Sequence, residues 1–234
     1  MPFEGEQKLI SRGMTLAPAN KDPALQLSID AIVPAGISLG HRLICSGDEH
    51  GLLSEESAAF AKSILKRRQA SGAARTVARE LLERLGCAQK ALPKSISGAP
   101  IWPDGFIGSL AHDSRVAIAT VGKRCDVRAL GIDIEPAELL PHDLLDIVAT
   151  PREREKIADD PCGGRLLFAA KEAVYKAVNP IDHTFLGHHD IEIDLINRKA
   201  MVCNGRVVDL RFCVSTHIVV IAFLLAAPLF LPRD

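Results

Sequence analysis

Residues Gly131-Ile132-Asp133-Ile134-Glu135-Pro136 alternate apolar and acidic side chains. In a strand, successive side chains face opposite ways, so Ile132 and Ile134 enter a core while Asp133 and Glu135 share the other face. Two carboxylates roughly 6.5–7 Å apart repel by about 0.6–0.7 kcal/mol in water and about four times that in a partly buried site. Such a pair calls for a cation beside it. A solvated face on an edge strand is the plainer alternative.

A second stretch, "GGRLLFAAKEAVYKAV" (163–178), has helical periodicity. At 100° per residue, Leu167, Ala170, Val174, Ala177 and Val178 gather on one face, and Phe168, Lys171, Glu172, Tyr175 and Lys176 on the other. The first face builds core, and the second presents an acid between two lysines. Alone, Glu172 and Lys176 at i, i+4 form a surface pair worth about 0.3–0.5 kcal/mol. Set beside Asp133 and Glu135, they complete a three-carboxylate set with lysines, which suits an octahedral Mg²⁺ that keeps positions open for phosphate oxygens. A third stretch, 101–119, combines an Asp-Gly turn, Gly108 and His112. There His112 immediately precedes an expected strand, which puts an imidazole at the lip of a sheet, where a surface histidine is the commoner outcome.

Caps and periodicity outline the elements that position these groups. The first fifty residues are loop-rich, with short strand candidates at 27–33 and 37–44. Ser54 is placed to cap a helix with Glu55 and Glu56 in its first turn and Lys66-Arg67-Arg68 at its end. Ser71 is placed to cap another, with Val77, Leu81, Leu82 and Leu85 inward, Arg75 and Arg79 on one face, and Gly86 as the stop. Residues 87–110 are a Pro- and Gly-rich connection. Strands are expected at 114–122 and 129–135 around a basic turn, followed by a helix opened by the capping box Thr150-Pro151-Arg152-Glu153. The helix at 163–178 and strands near 190–196, 200–203, 206–214 and 217–225 complete the chain. Helices and strands recur in both halves, so the expected fold is α+β with two similar α/β lobes, 1–122 and 123–234.

Composition narrows the function. A chain of 234 residues that is 47% hydrophobic can build a sizeable core, and a net charge of −1 argues against a generic nucleic-acid binder. Six cysteines without a CxxC pair favour neither a zinc ribbon nor a disulfide framework, so reduced thiols in the cytoplasm are expected. The start, "MPFEGEQKLI", lacks a basic region followed by an apolar one, and no export signal is expected. The apolar run 218–231 is interrupted by Pro228 and falls short of the ~20 residues a bilayer requires. Its β-branched residues fit a buried strand, and no membrane partner is expected. His183, His188, His189 and Asp190 lack the spacing of a zinc site and are expected to be solvated loop residues.

Taken in order, the arginine-bearing helix at 66–82, "WPDGFIGSLAH", "GIDIE" and "FAAKEAVYKA" resemble the 4′-phosphopantetheinyl transferases, specifically the enterobactin-synthase type within the surfactin-type group. The resemblance covers roughly 60–195. It implies a two-lobed, monomeric, cytoplasmic enzyme with coenzyme A in the cleft between the lobes. Such an enzyme moves the phosphopantetheine arm of coenzyme A onto a serine of an apo acyl or peptidyl carrier protein, releasing adenosine 3′,5′-bisphosphate. The resemblance makes Asp133, Glu135 and Glu172 ligands of Mg²⁺, for which Mn²⁺ can substitute, and Lys176 the contact to the pyrophosphate. It makes His112 the contact to the 3′-phosphate and Arg75 a contact to the nucleotide, with Arg67 and Arg68 in reach of the same phosphates. Glu172 or a water on the ion takes the serine proton.

Three departures from the family pattern stand out. Gly98-Ala99-Pro100 replaces Gly-Lys-Pro, which leaves a phosphate contact to Lys94 or an arginine, Ala111 replaces a serine, and Phe168 replaces a tryptophan. Glu153 matches an acid given a catalytic role in the family, yet its T-x-x-E setting makes it a cap. The alternatives are a metal-dependent phosphodiesterase or nuclease and a non-catalytic module that binds coenzyme A or a carrier protein. A nuclease needs a longer basic track than 62–79 provides. The pathway, whether for siderophores, polyketides or fatty acids, is left open. The basic face at Lys62, Lys66 and Arg67 is expected to steer an acidic carrier.

Overall fold

In the computed structural model, which describes residues 20–226, two long helices each lie on an antiparallel sheet. The stretch read for an export signal and Pro228 lie outside the described residues. In chain order, α1 (Pro23–Asp30) and β1 (Ile37–Leu43) precede the one-turn α2 (Ser54–Ser57) and the long α3 (Leu65–Arg84). β2 (Phe106–His112), β3 (Val116–Lys123) and β4 (Val127–Pro136) follow, then α4 (His142–Val148), α5 (Pro151–Ile157) and the long α6 (Gly163–Asp182). The chain continues through β5 (Ile191–Asp194), β6 (Lys199–Val202), β7 (Val207–Val214) and β8 (His217–Leu225). One sheet has the order β1-β3-β2 and the other β4-β8-β7-β6-β5. This is the expected two-lobed α+β architecture, three strands against five.

Alternate residues of the central strands serve two cores. From β3, Ala117, Ala119 and Val121 pack beneath α3, with Ala73, Val77 and Leu81 among their neighbours, while Val116 and Ile118 face the opposite way. There they meet Leu130, Ile132 and Ile134 of β4 and Val219, Ile221 and Phe223 of β8, so the middle cluster belongs to both lobes and joins them. The other face of β8 (Ile218, Val220, Ala222) packs with Leu167, Val174 and Ala177 of α6. The part of the apolar run in β8 is therefore a strand buried on both faces from Ile218 to Phe223, as its composition implies. Among the described residues no helix is long and apolar enough to cross a membrane.

Local expectations are corrected at three places. Residues 27–33 do not form a strand: Asp22 accepts from the amides of Ala24 and Leu25, Pro23 opens α1, and Leu25 and Ile29, one turn apart, are fully buried. The helix at Ser54 does not run on to Lys66-Arg67-Arg68. It stops after one turn because Glu56 folds back onto the Leu53 amide (2.9 Å) and inward to Arg79 (3.1 Å), and the three basic residues open α3 instead. Ser71 is then a buried residue inside α3, not a cap, next to a glycine whose added Cβ would stand 1.9 Å from the Asp48 carbonyl. Gly86 does end α3, at φ +82°. Finally, His112 precedes the expected strand, β3, across a hairpin turn, but it also ends a strand of its own, β2, which begins inside the stretch expected to be a connection. Gly108 masks the alternation there, because a Cβ at that position would strike Trp102 and the Thr120 carbonyl.

Candidate active site

Gly131, Asp133 and Glu135 share the face of β4 turned towards α6. Gly131 sets the approach: a Cβ there would stand 2.0 Å from the Ala173 carbonyl, so only glycine lets α6 lie this close. At that spacing Lys176 reaches Asp133 Oδ1 at 2.6 Å and the Ile132 carbonyl at 3.2 Å. Arg165 reaches Glu135 Oε2 at 3.2 Å and the Leu139 carbonyl at 2.9 Å. The positive partner demanded by the acid pair is thus present twice. Lys176 is an expected site residue and Arg165 is not, although it lies seven residues before Glu172 and hence on the same helical stripe.

Burial raises the Asp133 carboxyl above its ordinary range; Lys176 opposes this and the charge of Glu172 adds to it. Glu135 is raised by burial first and by Asp133 second, with Arg165 opposing. Asp133 is therefore electrostatically coupled to both other acids. Among the described residues no three His, Cys, Asp or Glu side chains are gathered tightly enough to hold an ion as they stand. Even so, hard oxygen donors around a buried carboxylate whose Oδ2 lacks any hydrogen-bond partner fit a divalent cation in charge and chemistry.

The rest of the α6 face differs from its expected form. Lys171 is not solvated beside Glu172 but 1% exposed, donating to Glu153 Oε2 (2.8 Å) and the carbonyls of Val148 (2.8 Å) and His188 (2.9 Å). Its long stem carries the ammonium across the edge of the apolar face. Glu153 caps α5 by accepting from the Thr150 amide (2.9 Å), and also accepts from the Ile193 amide (2.8 Å). The cap reading holds, but it accounts for only one of three partners. His188 is not a free loop residue: its ring stacks on Phe168 at 5.7 Å, and Nε2 lies 3.6 Å from Glu172 Oε1.

A basic group faces the acids. His112 sits at the exposed end of β2, its pKa held down by desolvation first and by the charges of Lys176 and Arg67, so both cations are within electrostatic reach. Lys94 is held down by burial and by Arg67 and Arg75, and its Nζ lies over the Phe60 ring at 4.1 Å. Arg67 is exposed and Arg68 half-buried. Arg75 is only 3% exposed, donating to the carbonyls of Leu92 (3.0 Å) and Ser71 (3.4 Å) beneath the Phe60 ring. The charges of Arg67 and Lys176 are thus both felt at His112, and that of Arg67 at Lys94, while Arg75 is committed to the lobe interior.

Between the lobes lies a cleft of about 520 Å³, walled by Gly98-Ala99-Pro100, Trp102 and Leu110 on one side and Arg124, Arg128, Tyr175 and Lys176 on the other. Lys176 connects it to the acids. A cleft lined by two arginines and by a lysine that is bonded to a buried acid is suited to chemistry on a phosphate ester.

Comparison with known proteins agrees. Residues 55–122 match the model of the 4′-phosphopantetheinyl transferase N-terminal domain, and residues 129–220 that of the 4′-phosphopantetheinyl transferase superfamily. The 4′-phosphopantetheinyl transferase PptT of Mycobacterium tuberculosis is 41% identical over 148 residues, 60% of this chain and 64% of that protein. The 4′-phosphopantetheinyl transferase Npt of Nocardia iowensis is 41% identical over 168 residues, 70% of this chain and 75% of that protein. Enterobactin synthase component D of Escherichia coli K12 is 36% identical over 111 residues, 44% of this chain and 50% of that protein. The chain belongs to the 4′-phosphopantetheinyl transferase family and is a transferase of that class.

Proposed function

We propose that the chain moves the 4′-phosphopantetheine group of coenzyme A onto a serine hydroxyl of an apo acyl or peptidyl carrier protein, releasing adenosine 3′,5′-bisphosphate. Family membership makes the reaction a phosphopantetheine transfer. The observation that supports the residue roles is that Lys176 belongs at once to the cleft and to the coupled acids. In this reading Asp133, Glu135 and Glu172 would hold Mg²⁺, or Mn²⁺, and the bound ion would supply charge neutralisation for the pyrophosphate.

The protein's own groups do the rest. Lys176 donates to pyrophosphate oxygens as charge builds on the leaving side. His112, with Arg67 and Arg68, receives the 3′-phosphate, and Lys94 stands in for the lysine absent at Ala99. Arg75 supports this surface from below through the Leu92 carbonyl, two residues before Lys94. The serine oxygen forms the new bond to phosphorus, the bond to the adenosine bisphosphate breaks in line, and the serine proton passes to Glu172, which is half-exposed and open to the approaching carrier. Exposed Lys62, Lys66 and Arg67 steer an acidic carrier. The proposal has the enzyme acting as a monomer in the cytoplasm, in keeping with free thiols at all six cysteines. No observation favours a phosphodiesterase or a non-catalytic binding module.

The test is to incubate the protein with an apo carrier, coenzyme A and Mg²⁺ and weigh the carrier. One added phosphopantetheine per carrier, abolished by chelator, is expected. An unchanged carrier mass across acyl and peptidyl carriers overturns the proposal.

A further inference from the structure

Asp113, the residue after His112, closes the β2–β3 hairpin by accepting from the amides of Arg115 (2.6 Å) and Val116 (2.7 Å) with Oδ1. Its other oxygen leaves the hairpin and meets His217 Nε2 at 3.0 Å. His217 is 3% exposed, opens β8, and is paired across the sheet with Pro136, the residue after Glu135. One contact therefore connects the neighbour of His112 to the strand pair that carries Glu135. Asp113 is also near enough to Glu135 for its charge to help raise that carboxyl.

The imidazole is held from its far side as well. His217 Nδ1 lies 3.1 Å from Thr216 Oγ1, and that hydroxyl donates to Asp22 Oδ2 at 3.1 Å. The ring is thus gripped at both nitrogens, by Thr216 on one side and Asp113 on the other. Asp22 in turn caps α1, and its amide donates to His41 Nε2 (3.1 Å) on β1. The chain of bonds thus runs from the smaller sheet through the end of the larger one to the hairpin that bears His112. Apolar contacts in the shared core tolerate small slides between lobes, whereas a desolvated, charge-assisted bond has one favoured length and direction.

We propose that Asp113 and His217 are a positioning pair that fixes the span between His112 and the Asp133/Glu135 face, and so sets the preference for a nucleotide that carries a 3′-phosphate. The inference rests on the proposed role of His112. In coenzyme A the 3′-phosphate and the pyrophosphate are held on one ribose, so a site that grips both must present its two ends at one separation. Dephospho-coenzyme A, which lacks the 3′-phosphate, engages only the acid end and is indifferent to that separation.

The experiment compares kcat/KM for coenzyme A and dephospho-coenzyme A, with an apo carrier, for the wild type and for His217→Leu, His217→Gln and Asp113→Asn, alongside thermal melts. The wild type should prefer coenzyme A by roughly tenfold to a hundredfold, the worth of one charge-assisted hydrogen bond. His217→Leu should lose most of that ratio through a raised KM for coenzyme A, with the dephospho form little changed. His217→Gln, which keeps a donor near Nε2, should retain more of it. Asp113→Asn preserves Oδ1 for the hairpin and removes the charged acceptor, so it gives the same answer should His217→Leu fail to fold. A wild type that discriminates while the folded variants keep its ratio, with both substrates falling equally, overturns the positioning role alone. A wild type that transfers from both nucleotides without preference overturns the role of His112 together with it.

Discussion

Lys171→Met should cost the protein more stability than any other single change near the site, yet leave the chemistry of the folded fraction largely intact. Lys171 and Glu153 are each 1% exposed and 2.8 Å apart, and the three ammonium protons are met by Glu153 and the carbonyls of Val148 and His188. Methionine keeps most of the stem but leaves the Glu153 carboxylate buried with only the amides of Thr150 and Ile193, and two carbonyls lose a donor. Removing one partner of a buried pair costs about 3–5 kcal/mol. At about 2–4 °C per kcal/mol for a chain of this size, the melting temperature should fall by about 6–20 °C. Glu153→Gln should also destabilise, and the double variant should recover part of the combined loss because neither charge is then left alone. Thermal melts and initial transfer rates, taken where each variant is folded, check the claim. Glu153 accepts from the Ile193 amide with Oε1 and from Thr150 and Lys171 with Oε2, which commits it to structure. A Glu153→Gln protein as stable as wild type but slower by the roughly 10²–10⁴-fold of a lost general base would refute the reasoning.

Asp133→Asn and Glu135→Ala should each fold and lower transfer by orders of magnitude, and near-normal turnover by both would remove the metal role. The Asp133 carboxyl is raised above 3.8, so the folded state binds its proton more readily than the unfolded chain. Its destabilising contribution is absent below pH 3.8 and grows as pH rises through the raised folded value. The melting temperature of metal-free Asp133→Asn relative to wild type should therefore improve with rising pH, and a difference that worsens or stays flat contradicts the burial argument. Lys176→Met should keep α6 helical, at some cost in stability because the buried Asp133 loses its ammonium partner, while abolishing efficient transfer. Unfolding of that variant, seen as loss of helical circular dichroism, would make the residue structural.

What the chain discloses about itself depends on how far away each side chain's partner lies. Asp133 and Glu135 are legible because the strand pleat alone puts them on one face, and Glu172 and Lys176 because 100° per residue does the same on α6. The cap at Thr150 and the stop at Gly86 are equally local. The pattern fails at Lys171, which sits at the edge of the apolar face. Only the position of Glu153, brought in by α5, decides whether its ammonium turns to water or to the interior. It fails again at Arg75 and Arg79, which share a face with the look of a basic stripe although both guanidinium groups turn to the buried Glu56, on a different element. Asp113 and His217 carry no signal at all, since nothing in a hairpin turn and the start of a distant strand announces that they will meet. For Arg75 the distinction decides a functional assignment. Its guanidinium is desolvated, which alone disfavours the charged form, and its N–H groups are committed to Leu92 and Ser71. Turning it out to a phosphate would strip a buried carbonyl of its donor and leave Glu56 with one cation fewer. Arg67 is exposed and already within reach of His112, so it faces neither cost and is the arginine better placed to meet the nucleotide.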